Sequence, residues 1–227
     1  MGPAKWPTRE QRNAMAKKTK NRAYSVSNIL TKKFHPLGFR GQFEESLGRP
    51  DKAFSAIIWG ASGNGKTEFA IQLAKYLTNF GRVAYNSLEQ GLSATMQDAI
   101  ERNYMAECEG KFVLLDREPF PDLLERMKKP KSPNFLFIDS VQYTQITKAQ
   151  YYELKELMQA KGKGIVWVSQ ARGKEPKGAL ADDIRFDVDL KLWIQGFRMF
   201  PEGRLNGGGE PYTIWEERAA KYWGEII

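Results

Sequence analysis

Eight residues constrain the chain more than any others. Gly60-Ala61-Ser62-Gly63-Asn64-Gly65-Lys66-Thr67 fits the pattern G-x-x-x-x-G-K-[ST]. The stretch lies between an apolar run at residues 54–59 and a segment of helical period at 66–80. That context turns a glycine-rich stretch into a strand–loop–helix cradle for phosphate. Its glycines let backbone N–H groups turn inward around anionic oxygens, and the following helix adds its positive end. Lys66 then reaches the outer phosphates, and the Thr67 hydroxyl ligates Mg²⁺.

The rest of the chain alternates in the same way. Apolar runs at 82–88, 112–116, 134–140 and 164–169 read as strands. Between them, 92–107, 121–129 and 149–161 have helical spacing. Strands alternating with helices predict an α/β fold with a mostly parallel central sheet flanked by helices. Residues 187–194 place Val188, Leu190, Leu192 and Ile194 on one face, and 212–217 resembles an edge strand. Both are expected as antiparallel additions at the C-terminal end of the sheet. Residues 171–184, rich in Gly and Lys, read as a flexible loop.

Charge is unevenly placed. The formal net charge is +8, yet residues 1–22 carry seven bases and one acid, which leaves the body nearly neutral. Residues 1–24 therefore read as a flexible basic arm giving a salt-sensitive attraction to a polyanion, or as a solubility segment. Residues 25–52 read as a connector packing on the domain that follows, so 25–227 is expected to be one domain. No apolar stretch approaches the roughly 18 residues of a membrane span. One cysteine, Cys108, and one histidine, His35, exclude an intramolecular disulfide and a Cys/His zinc cluster within one chain. A cytoplasmic protein is expected.

Three polar residues end the apolar strands. Asp139 closes 134–138 as a second acidic element holding the Mg²⁺ water shell would. Glu89 follows the strand after the phosphate loop and is the candidate to orient and deprotonate water; the bland alternative is a solvated loop acid. Gln170 ends 164–169, either as a γ-phosphate sensor or simply as a strand cap. The carboxyl ends of strands in an open α/β sheet converge on one crevice, so these three can face the same phosphates.

Taken in order, Gly60–Thr67, Ser87-Leu88-Glu89, Ile138-Asp139-Ser140-Val141-Gln142 and Ser169-Gln170-Ala171-Arg172 resemble the RecA-like ATPase core. Within it, the similarity is to the DnaB-type hexameric helicase motor and the bacterial RadA branch. The resemblance covers about residues 54–217. It implies ATP and Mg²⁺ as cofactors, Glu89 as catalytic glutamate, Asp139 as Walker B acid and Gln170 as the sensor coupled to DNA. Residues 203–207, Gly-Arg-Leu-Asn-Gly, are similar to a late element in which an arginine reaches a neighbour's nucleotide. Arg204 is thus either such a finger or a basic residue in a hairpin. The span from Lys66 to Asp139 is short for a DnaB-type motor, and the RadA Lys-Asn-Arg-Phe-Gly motif is missing. A small relative of the kind phages and mobile elements encode is implied.

The implied activity is ATP hydrolysis coupled to single-stranded DNA in replication, recombination or repair, by a homo-oligomer, either ring or filament. Arg172, Lys174 and Lys177 follow the sensor and suit phosphate contacts without sequence reading. The alternative is a nucleotide-gated switch or loader acting on a protein partner.

Overall fold

A computed structural model describes residues 23–203 and 209–224. The chain divides into two units, Met1–Phe34 and His35–Ile227. Residues 1–22 of the basic arm lie outside the described residues, as does Arg204. In the first unit, helix α1 (Val26–Thr31) is opened by a capping box between Ser25 and Asn28. Its Val26, Ile29 and Leu30 are exposed, as is Phe34.

The second unit is built on one sheet. Its strands are β1 (Ser55–Gly60), β2 (Val83–Ser87), β3 (Phe112–Asp116), β4 (Phe135–Asp139), β5 (Gly164–Arg172), β6 (Glu175–Pro176), β7 (Leu190–Gln195), β8 (Arg198–Gly203) and β9 (Tyr212–Thr213). They lie in the order β3-β2-β4-β5-β1-β7-β8-β9, with β6 attached to β5. From β3 to β7 every pairing is parallel; β6, β8 and β9 are antiparallel. The unit is therefore α/β, with a mostly parallel sheet and antiparallel strands at its C-terminal end.

Layering explains the strand sequences. Helices α3 (Lys66–Leu77) and α4 (Ala94–Arg102) cover one face, bringing Phe69, Leu73, Leu77 and Met96 onto Ile58, Tyr85 and Phe137. Leu37 and Phe39 join that core, with Leu47 from α2 (Gln42–Leu47). Helices α5 (Phe120–Lys128), α6 (Lys148–Ala160) and α7 (Ala179–Asp187) cover the other face around Trp59 and Trp167. Because both faces are covered, β1, β2 and β4 are buried at every residue and read as continuous apolar runs. Helix α8 (Glu216–Trp223) follows β9.

Four sequence expectations need correction. Residues 187–194 do not form an antiparallel addition: β7 starts at Leu190 and pairs parallel with β1, because α7 supplies the crossover a parallel strand needs. The supposed loop 171–184 is a hairpin, with Arg172 opposite Glu175, followed by α7. Helix α4 stops at Arg102, since Tyr104 adopts φ 52°, and a 3₁₀ turn, Met105–Cys108, follows. Within 212–217 only Tyr212–Thr213 is strand, and Glu216 already opens α8.

At the end of β1, close packing demands a glycine. A Cβ on Gly60 would sit 2.3 Å from the Ile194 carbonyl oxygen on β7, a backbone atom that cannot swing away. Gly60→Ala is expected to cost about 1–3 kcal/mol in urea unfolding, as overpacking in a rigid interior does. An unchanged midpoint would show that β1 and β7 part easily.

Candidate functional site

The carboxyl ends of the parallel strands bring the sequence candidates to one cavity of about 250 Å³, bordered by Ser62, Lys66, Thr67, Glu89 and Asp139. Gly65, the N-cap of α3, has φ 98°, a conformation that costs glycine little and lets the loop turn into the helix. Asn64 clamps this loop to the β7–β8 turn. Its side-chain oxygen accepts from Gly196 N–H at 2.8 Å, and its carbonyl accepts from Phe197 N–H at 3.1 Å. The Lys66 ammonium donates to the Ala61 carbonyl at 2.9 Å across the loop. Burial lowers the Lys66 pKa, against the attraction of Asp139 and Glu89.

Asp139 lies at the end of β4, 4% exposed. The Tyr85 hydroxyl donates to its Oδ2 at 2.6 Å. Burial pushes its carboxyl up to about 6; the Tyr85 hydrogen bond opposes this, nearby Glu89 adds to it and Lys66 again opposes it. Tyr85 is itself pushed well above its ordinary value, first by burial and then by the Asp139 charge. A buried carboxylate of this kind is held ready for a cation. Among the described residues no three His, Cys, Asp or Glu side chains converge as a metal centre. The donor set therefore fits Mg²⁺, which takes one or two protein oxygens and completes its shell with phosphate and water. Thr67 and Asp139 would supply those oxygens, and Gln90 Nε2 donates to Thr67 Oγ1 at 3.3 Å.

Glu89 is exposed and fixed from behind. The Asp139 carbonyl accepts from the N–H groups of both Leu88, at 2.5 Å, and Glu89, at 3.1 Å. Ser140 Oγ donates to Glu89 Oε2 at 3.1 Å, and Gln170 Nε2 approaches Oε1 at 3.4 Å. Gln170 in turn accepts from Lys177 Nζ at 3.4 Å. Gln142, in the 3₁₀ turn Val141–Tyr143, staples this region. It accepts from Gln170 N–H and donates to Ser169 Oγ and to the Lys177 carbonyl. The order β4-β5-β1 puts Gln170 between Asp139 and the phosphate loop.

No family model matches the chain, and no curated protein matches its sequence.

The three basic candidates differ in setting. Arg172 and Lys174 stand at the exposed hairpin turn. The Lys174 ammonium lies 5.9 Å from the Trp193 ring, and its carbonyl accepts from Trp59 Nε1 at 2.9 Å. Lys177 reaches back to Gln170. Sequence reasoning missed the far side of the cavity, where Phe197, Trp215 and Arg218 stand. The Arg218 guanidinium lies 4.1 Å from the Trp215 ring and 5.3 Å from that of Phe197. Only the three-residue spacing of Trp215 and Arg218 at the start of a helix hinted at this, and that signal is common.

Proposed function

We propose that the chain is a Mg²⁺-dependent ATPase of RecA-like fold, in which hydrolysis is coupled to single-stranded DNA within a homo-oligomer. One observation carries the reading: the ends of β1, β2, β4 and β5 bring Lys66, Glu89, Asp139 and Gln170 around one cavity at a helix N-terminus. Backbone N–H groups of residues 61–66 and the Lys66 ammonium bind the phosphates. On anion binding, Lys66 exchanges the Ala61 carbonyl for a charged acceptor, a stronger bond. Bound Mg²⁺ supplies neutralisation of phosphate charge, and Thr67 with Asp139 holds it. Glu89, kept in place by Ser140 and Gln170, takes the proton from the attacking water.

The DNA part of the reading rests on the hairpin. Its base is pinned to Gln170 through Gln142, and the Gln170 side chain reaches Glu89. A strand seated on Arg172 and Lys174 would thus bear on the group that positions Glu89. The oligomer rests on the resemblance and on Arg204, outside the described residues. No helix among the described residues is long and apolar enough to cross a membrane.

The test is ATP turnover with and without single-stranded DNA across salt. Stimulation that fades as salt rises is expected; neutralising three phosphates alone gives a log–log binding slope of about −2. Turnover indifferent to any nucleic acid would favour a switch acting on a protein partner.

A further inference from the structure

The phosphate-loop cavity, about 250 Å³, suits phosphates and an ion, whereas pockets for whole small ligands run from roughly 300 to 1,000 Å³. A nucleoside attached to those phosphates needs further room. A second cavity of about 560 Å³ lies beside the first, against α3 and the turn after α4. The two share a wall. Arg102 and Asn103 line the second cavity and donate at 3.0 and 2.6 Å to Glu68, which lines the first. Trp215 of the first cavity has the Arg102 guanidinium 5.5 Å from its ring, and the Ile214 carbonyl accepts from Gln72 of the second.

Gln72 carries the argument. Its Nε2 donates to that carbonyl at 3.0 Å, which fixes which end of the amide is oxygen. Its Oε1 is buried and has no hydrogen-bond partner. A buried acceptor left alone is costly and rare, so the cavity lacks a donor. Tyr104 also lines this cavity, 71% exposed and held at φ 52°, a conformation uncommon outside glycine. An exposed ring beside an unmet acceptor is the chemistry that receives a flat heterocycle bearing an N–H group.

We propose that this second cavity takes the base of a purine nucleotide whose phosphates lie in the loop, with Gln72 Oε1 accepting from a 6-amino group. The assignment rests on the phosphate-loop reading above and adds to it a choice of base. Adenine presents an N–H donor at position 6, where guanine presents a carbonyl oxygen. Guanine would leave two acceptors facing each other, so the site selects adenine.

Calorimetric titration of the full chain with ATP, GTP and inorganic tripolyphosphate, each with Mg²⁺, tests this. The wild type is expected to bind ATP at least about tenfold more tightly than GTP. Gln72→Met should cost ATP about tenfold, bring ATP and GTP level, and leave tripolyphosphate unchanged. Tyr104→Ala removes an exposed side chain outside the core; it should weaken both nucleotides and spare tripolyphosphate. An unaltered ATP-to-GTP ratio in Gln72→Met overturns the proposal, as does a loss of tripolyphosphate binding parallel to that of ATP in both variants. Lys66→Ala separates the two readings. Loss of all three probes supports the loop as the phosphate site, whatever the base variants do. Three unchanged affinities would overturn the loop reading and the base assignment with it.

Discussion

A Glu89→Gln chain is expected to bind ATP as tightly as the wild type and to turn it over about 10²–10⁴-fold more slowly. The amide has the shape of the carboxylate, and its oxygen still accepts from Ser140 or Gln170, now at 3.1 and 3.4 Å. It cannot take a proton from water. The neighbouring acids offer no substitute. Asp139 is buried behind the Tyr85 hydroxyl, and Glu68 is held by Arg102 and Asn103. Calorimetry with ATP and steady-state phosphate release read the two halves of the prediction separately. Turnover near the wild-type rate would mean that water is activated elsewhere. Loss of ATP binding would mean that Glu89 belongs to the binding surface instead.

What could be read from the sequence followed from what is local. The strands β1, β2, β4 and β5 show as apolar runs because both faces of the sheet are covered. The loop Gly60–Thr67 shows because its backbone geometry dictates residue types. Asp139, Glu89 and Gln170 were found by one rule, that polar residues ending buried strands face a common crevice, and the structure does gather them. The misses are non-local. Whether Leu190–Gln195 runs parallel or antiparallel to β1 depends on the crossover before it. That crossover, Ala179–Asp187, hides behind two consecutive acids and a preceding Gly-Lys-Pro stretch that imitates a loop. Helix α4 was drawn too long because Met105 keeps the period while Tyr104 breaks the backbone, and Leu92, counted as a core marker, is exposed. The cluster of Phe197, Trp215 and Arg218 has no linear signature. It forms when two antiparallel strands fold back beside the phosphate loop.

Asp139→Asn is expected to abolish Mg²⁺-dependent turnover and yet to make the nucleotide-free chain more stable. The sign follows from the raised pKa. A carboxyl at about 6 in the folded state, against an ordinary 3.8, holds its proton more tightly folded than unfolded. Ionising it therefore opposes folding: stability is unaffected below about pH 4 and falls as pH rises through about 6. A shift of about two units amounts to at most about 3 kcal/mol at neutral pH. The groups that set it are the surrounding burial, the Tyr85 hydroxyl, Glu89 and Lys66. An asparagine carries no charge to desolvate, and its oxygen still accepts from Tyr85. In EDTA at pH 8 the Asp139→Asn chain should melt about 5–10 °C higher than wild type, and the gap should close at pH 4. The stabilisation that Mg²⁺ with ATP gives the wild type should be reduced in the variant. A lower melting point at pH 8, or a gap that persists at pH 4, would show that the carboxylate contributes to the fold. The expected result instead makes Asp139 a residue kept at the expense of stability, as a group reserved for a cation would be.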